Sequence, residues 1–314
     1  MTLFCSERLW DERGAEWRSI VPDLTAVPLG DEEVPAERFA DIDIAFFSGD
    51  VWPARGANFM KVALQAPSLR WLHVFNAGVD HPVFGAFRER GVRLTTSSGA
   101  SATPIAHTVV MQLLVMSRRA DRWFDDQRDH RWNQRDVTDV EGRVVGIVGL
   151  GAIGSEVARI VTAFGMRPIG LRRTPTGDEP CETWTSDRLH ELLPLVDDLV
   201  LTAPLSPETA GMIGTSELDL LRRGATVTNV GRGELIDEDA LLAALHSGQV
   251  GAAALDVFAT EPLPADHPLW DEPNVIVTPH SAGTTVLSRQ RAVDMFGDNL
   301  RRFAAGEPLR NEVR

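Results

Sequence analysis

Four side chains in the later part of the chain have the types needed to hold an anion and move a proton. They are Arg232 in NVGRGE, Asp256 and Glu261 in ALDVFATEP, and His280 in VIVTPH. An arginine between two glycines offers a planar cation with paired donors. A histidine changes charge near neutral pH, and a neighbouring carboxylate steers that change. Taken singly, each also has a plainer reading. Arg232 reads as a solvated loop charge, Glu261 before Pro262 as turn chemistry, and His280 as a structural hydrogen-bonder. Each nevertheless follows a run of β-forming residues, and that recurrence is what the plainer readings leave unexplained.

The elements that must position these groups can be read outward from one turn. VVGIVGLGAIGSEVARIV carries Gly149, Gly151 and Gly154 as G-x-G-x-x-G, with an apolar strand before it and an amphipathic helix after it. Gly149 permits a tight turn, Gly151 lets backbone approach a pyrophosphate, and Gly154 lets helix pack on strand. The helix N-terminus then holds the anion. Further strands are expected at 167–171, 198–203, 225–230, 252–258 and 274–280. In an open parallel sheet, ligands sit beyond the carboxyl ends of the strands. Those ends supply Arg172 and Arg173, Ala203 and Pro204, Arg232, Asp256 with Glu261, and His280.

Apolar runs alternate with helical patterns almost throughout, the signature of an α/β fold with parallel sheets. In the first part, strands are expected at 42–49, 70–78 and 92–99, with helices near 57–65 and 82–90. Residues 103–124 read as one long helix joining two domains, with Pro104 in its first turn. A helix is expected to start near Asp237 and stop at Gly248, and a last one to span 287–304.

Composition removes several function classes. At 314 residues, two domains are the better expectation. The net charge of −14 without a Lys/Arg run argues against nucleic acid and anionic membrane surfaces. No apolar run approaches the roughly 20 residues of a membrane span. The first residues, MTLFCSERLWDERG, lack the basic start of a signal peptide. Cys5 and Cys181 alone build neither a disulfide framework nor a zinc site, so no metal is expected and the cytoplasm fits best. There is no tyrosine, and Lys61 is the only lysine. Proton chemistry therefore falls on His, Asp, Glu or water.

The motifs FNAGVD (75–80), GIVGLGAIG (146–154), TAPLSPETAGMIG (202–214), NVGRGELIDEDALLAAL (229–245), GAAALDVFATEPLP (251–264), HPLWDEPNVIVTPH (267–280) and GEPLRNEV (306–313) occur in this order. Together they resemble the D-isomer-specific 2-hydroxyacid dehydrogenases over most of the chain. The resemblance implies two Rossmann-like, doubly wound parallel-sheet domains with an active-site cleft between them, usually in a homodimer. Residues 1–99 plus 287–314 would form a flavodoxin-like substrate domain, and 100–286 the dinucleotide-binding domain. It implies Arg232, Glu261 and His280 as catalytic residues, with Arg232 on the substrate carboxylate and carbonyl, and Glu261 hydrogen-bonded to the acid/base His280. It implies substrate contacts from the backbone of Ala77, Gly78 and Val79, and from Arg232 and His280. The implied cofactor contacts are Gly149, Gly151, Ala152, Ile153, Gly154, Arg172, Arg173, Thr174, Ala203, Pro204, Thr209, Val230, Gly231, Arg232, Asp256, His280 and Gly283.

The expected activity is hydride transfer between NAD(P)H and a small 2-keto acid, of the glyoxylate or hydroxypyruvate type. A bulkier 2-hydroxy acid is the alternative within the chemistry, and Ser48, Gly49, Asp50 and Trp52 are candidates to line its pocket, Trp52 reading equally as core. A cofactor-sensing corepressor is the alternative from another class. Two departures from the family pattern matter. His107 stands where many members carry a glutamate, and reads as a structural histidine or as one near the domain joint. The chain also ends at Arg314, where long phosphoglycerate dehydrogenases continue into a regulatory domain, so that activity is not expected. NAD-specific domains end their second strand in an acid that accepts from the ribose 2′-OH. Here Arg172, 23 residues past Gly149, Arg173 and Thr174 occupy that place. Guanidinium groups suit a 2′-phosphate, so NADP(H) is expected ahead of NAD(H); a solvated turn is the plainer reading.

Overall fold

The computed structural model describes residues 1–313. Arg314, the last residue of the range expected for the substrate domain, lies outside the described residues. The chain divides into two compact units, with crossings at Ala100/Ser101 and Thr284/Thr285.

The first unit comprises Met1–Ala100 and the segment from Thr285 onward. Its elements are β1 (Thr2–Ser6), α1 (Glu7–Ile20), β2 (Thr25–Leu29), β3 (Ile44–Phe47), α2 (Gly56–Gln65), β4 (Trp71–Val74), α3 (Pro82–Glu89) and β5 (Arg93–Thr96), joined by a last helix, Val286–Ala305. The strands pair in parallel in the order β2-β1-β3-β4-β5, the flavodoxin-like winding. Phe59, Val62, Phe84 and Phe87 from α2 and α3 fill one face. Leu9 and Trp17 from α1 and Phe296 and Leu300 from the last helix fill the other. Beyond Leu309 the chain returns to β5: Val313 donates to Leu94, and Thr96 donates to Asn311. This antiparallel tail covers an otherwise open edge.

The second unit, Ser101–Thr284, contains α4 (Ala102–Arg118), α5 (Ala120–Arg128), β6 (Val144–Val148), α6 (Ala152–Ala163), β7 (Arg167–Arg172), β8 (Glu182–Thr185), α7 (Leu189–Leu192), β9 (Asp198–Leu201), α8 (Thr215–Leu220), β10 (Ala225–Asn229), α9 (Glu238–Ser247), β11 (Val250–Leu255) and β12 (Val275–Val277). Its parallel sheet runs β12-β11-β10-β9-β6-β7-β8. The order reverses between β6 and β9, the switch point at which such folds bind ligands. Helices α4 and α6 cover one face, and α7, α8 and α9 the other.

Three expectations are corrected. The single helix over 103–124 is two helices, because Arg119 takes φ 50° and closes α4 in the left-handed region. The first unit also holds β1, α1 and β2, which short or charge-flanked sequences conceal. Finally, β8 adds a strand that ETWT does not advertise, since its residues are half-buried or exposed at the sheet edge. The helix after Asp237 behaves as expected: Asp237 accepts from the amide of Ala240, and Gly248 ends α9 at φ 70°.

Candidate active site

The glycine turn after β6 has two closed positions and one open one. Gly149 sits at φ +99°, and a Cβ there would stand 2.5 Å from the amide nitrogen of Ala203. Its N–H and that of Leu150 donate to the Leu171 carbonyl at the end of β7. A Cβ on Gly154 would lie 2.5 Å from the Gly149 carbonyl oxygen. Both glycines thus permit strand, loop and helix to close up. At Gly151 a Cβ would meet nothing within 4 Å. This residue begins α6 without a side-chain cap, so the first-turn N–H groups, including those of Ala152 and Ile153, lack intrahelical partners. Open space over an uncapped helix N-terminus fits a pyrophosphate, and the residues present accommodate a dinucleotide.

Around that turn, Thr202 donates its hydroxyl to Gly149 at 2.6 Å. Thr209 donates to the Pro204 carbonyl and accepts from the Ser206 amide, closing the loop after β9. At the end of β7, Nη1 of Arg172 lies 3.3 Å from Glu179 Oε1. The same carboxylate accepts from the amides of Thr176 and Gly177 and from the Thr176 hydroxyl. These donors, the Thr176 amide foremost, pull the Glu179 carboxyl down to about 2. Arg173 and Thr174 are exposed in the same turn.

Asn229, buried at the end of β10, brackets Arg232. Its Oδ1 accepts from Gly231 N–H at 3.0 Å, and its Nδ2 donates to the Arg232 carbonyl at 2.8 Å. Arg232 Nη1 donates to the Gly231 carbonyl at 2.7 Å. Val230 is buried. Gly231 is required because a Cβ would come within 2.8 Å of the Ala203 carbonyl.

Asp256, 2 % exposed, ends β11 and organises the chain after β12. Its carboxylate accepts from the Thr278 hydroxyl at 2.6 Å and from the amides of Ser281 and Ala282, both at 3.0 Å. Its carbonyl accepts from His280 N–H at 2.7 Å. Held this way, His280 adopts φ 47°, a left-handed conformation that costs a non-glycine residue on the order of 1–3 kcal/mol. Its Nδ1 lies 2.7 Å from Glu261 Oε2. An ionised carboxylate only accepts, so Nδ1 carries the proton and Nε2 remains to exchange one with a ligand. Glu261 Oε1 accepts from Phe258 N–H at 3.0 Å. A Cβ on Gly283 would lie 2.9 Å from that of Ser101, so this glycine lets the loop approach the start of α4.

The structure thus brings Glu261 and His280 into contact, with Asp256 building the loop beneath the imidazole. His107 is exposed on α4. It faces Glu156 of α6, whose carboxyl is held below its usual range chiefly by the hydrogen bond from Arg159. In the first unit, Ala77, Gly78 and Val79 follow β4, and Asn76 Nδ2 donates to the Gly78 carbonyl across that loop. Ser48 and Ser6 both donate to Asp50, at 2.6 and 2.7 Å, while Trp52 is largely exposed rather than core. Asn229, Thr278 and Glu179 are supports that sequence reasoning missed. Of these only Asn229 carried a signal, as the polar residue ahead of a Gly–Arg–Gly loop.

Comparison with known proteins gives the family. Residues 110–282 match the NAD binding domain of D-isomer specific 2-hydroxyacid dehydrogenases. A glyoxylate reductase of Aeropyrum pernix is 38 % identical over 259 residues, covering 79 % of this chain and 77 % of its own. A hydroxypyruvate reductase of Blautia hydrogenotrophica is 28 % identical over 308 residues, covering 96 % and 93 %. The crystal structure of an NADPH-dependent glyoxylate/hydroxypyruvate reductase from Sinorhizobium meliloti, in complex with NADP and sulfate, superposes with a TM-score of 0.84 at 29 % identity, covering 99 % of this chain and 98 % of that one. With a glycine turn shaped for a dinucleotide and a histidine–carboxylate pair on neighbouring strand ends, the chain belongs to the D-isomer specific 2-hydroxyacid dehydrogenase family of nicotinamide-dependent oxidoreductases.

Proposed function

We propose that the protein is a reductase of small 2-keto acids of the glyoxylate and hydroxypyruvate type, with NADPH preferred over NADH. The observation that carries the reading is the 2.7 Å contact between His280 Nδ1 and Glu261 Oε2, on a loop tied down by Asp256. A reduced nicotinamide supplies the hydride when bound. Reduction of the carbonyl carbon builds negative charge on its oxygen, and His280 Nε2 delivers the proton that completes the alcohol. The contact of Nδ1 with Glu261 fixes the orientation of the ring for that step. Arg232 stabilises the developing oxyanion and orients the acid. The backbone N–H groups of Ala77, Gly78 and Val79 are proposed to receive a carboxylate. The names of the similar reductases support the substrate class, and the arginines after β7 support the cofactor.

The test is a keto-acid panel with each reduced cofactor in turn. Oxidation of NADPH with glyoxylate or hydroxypyruvate is the expected outcome. Inertness toward every acid in the panel would remove the reading.

A homodimer is proposed alongside, through the second unit. Among its exposed large side chains are Met111, Trp123, Phe124 and Trp132, the last 94 % exposed in the irregular stretch after α5. Exposed aromatic and methionine side chains are enriched at surfaces covered by a partner. Sedimentation should give twice the mass of 34.4 kDa, and Trp132→Glu should weaken the association. Among the described residues no helix is long and apolar enough to cross a membrane. Cys5 and Cys181 are unpaired thiols, which suits the proposed cytoplasmic location.

A further inference from the structure

A second histidine–carboxylate pair lies behind the first. Glu238 is the first residue of α9, and Asp237 ahead of it already caps that helix. The Glu238 carboxylate instead leaves the helix: Oε1 accepts from Ala259 N–H at 2.9 Å, and Oε2 lies 3.4 Å from His267 Nε2. His267 Nδ1 accepts from Leu269 N–H at 3.3 Å, so the proton of the neutral ring is on Nε2, the nitrogen nearest Glu238. Both contacts fall on the segment that carries Glu261. Ala259 is its second predecessor, and Phe258, whose amide donates to Glu261, is the third. Gly233 presses the same turn from beneath, where a Cβ would stand 1.9 Å from the Phe258 carbonyl carbon.

We propose that Glu238 is a positioning residue for reduction: with His267, it holds the 258–261 turn so that Glu261 meets His280. The proposal rests on reading Glu261 and His280 as the proton-donating pair. Its logic is geometric. Glu261 lies outside any helix or strand, and the contacts of Glu238 fall on either side of it, at Ala259 two residues before and at His267 six residues after. Small displacements of a group that orients the acid reach the rate directly.

The test pairs Glu238→Ala with Glu238→Gln, each alone and combined with Glu261→Gln. Asp237 keeps its cap in both, so α9 is expected to fold, and thermal melting checks this. Glu238→Ala should lower kcat about tenfold while leaving KM for the cofactor unchanged. At one fixed pH, the imidazole nitrogen shifts of His280, followed by NMR without substrate, should move in that variant as the contact of Nδ1 with Glu261 loosens. Glu238→Gln retains an acceptor for Ala259 and should recover most of the rate. In the Glu261→Gln background, Glu238→Ala should add little, because the group it positions is gone. Unmoved His280 nitrogen shifts in Glu238→Ala, or losses that multiply in the double variant, would overturn the proposal. If Glu261→Gln alone leaves turnover unchanged, the parent reading falls and takes this one with it.

Discussion

Glu261 and His280 are 19 residues apart in sequence, yet Oε2 of one and Nδ1 of the other are 2.7 Å apart. The imidazole is held at its backbone by Asp256 and at its ring by Glu261. Replacing His280 by Ala should lower turnover by roughly 10²–10⁴-fold, the range for a positioned proton donor, with cofactor affinity kept. In Glu261→Gln the ionised acceptor of the Nδ1 proton is replaced by a neutral amide, so the ring is held less firmly and turnover should fall, though less than in His280→Ala. Turnover of both variants at saturating cofactor decides this, and a wild-type rate in Glu261→Gln would count against the pair.

Arg232 stands between Gly231 and Gly233, with Asn229 bonded on either side of it. Arg232→Ala should cost about 2.7–4 kcal/mol of transition-state stabilisation. Asn229→Ala should have a milder effect of the same kind, since it frees the loop and leaves the guanidinium in place. Steady-state kcat/KM with one keto acid ranks the two, and near-normal reduction by Arg232→Ala would refute its role.

Cofactor choice should follow the turn after β7. One productive arginine–phosphate contact, at roughly 1.5–3 kcal/mol, gives at least about a tenfold preference for NADPH. Arg172 already shares its guanidinium with Glu179, so Arg173→Ala should narrow the ratio more than Arg172→Ala. Arg172→Asp combined with Arg173→Ala should narrow it furthest or reverse it. The readout is kcat/KM for both cofactors at saturating acid; a wild-type preference for NADH would show these arginines to be solvated.

Stability should fall in acid because of His73. This ring is buried on β4 between Thr95 and Ser97, and burial pushes its pKa down from 6.5 to about 3, against a smaller upward pull from the Ala292 carbonyl. The unfolded chain therefore takes up a proton near pH 6.5 that the folded chain refuses until about pH 3. Between those limits stability should drop by about 1.4 kcal/mol per pH unit from this group alone, and it is fully present above pH 6.5. Urea titrations of the wild type and His73→Gln should diverge in that window, the variant showing the flatter dependence; parallel curves would exclude His73 as the cause.

Much of the fold was legible because its signals are local. Gly149, Gly151 and Gly154 follow a strand of five apolar-rich residues, and Asp237 and Gly248 bound α9 with unmistakable caps. What stayed hidden depends on tertiary neighbours. In β2, TAVPL carries a proline that only an edge tolerates. Arg119 breaks the helix at 118–120 with neither glycine nor proline to announce it. In the site, Glu261 and His280 were readable from their motifs. Thr278 and Glu238 were not, because each is an ordinary polar residue until a distant carboxylate or backbone amide comes beside it, and Glu179 was not, because its partners are backbone amides of its own turn.

The first unit is stitched from both ends of the chain, and this has a consequence for biosynthesis. Phe296, from the last helix, stacks on Phe46 and Trp71 and meets Trp17 edge-on. On the ribosome those three aromatics emerge early and wait, without their partner, while the whole of Ser101–Thr284 is made. The second unit is continuous and can close as soon as it is released, so it should fold first although it is encoded second. Nascent chains cut after residue 284 and held by a C-terminal spacer long enough to clear the ribosome should therefore show protease-resistant second units and cleavable N-terminal segments, with chaperones binding near Trp17, Phe46 and Trp71. Equal protection of both segments at that length would contradict this order.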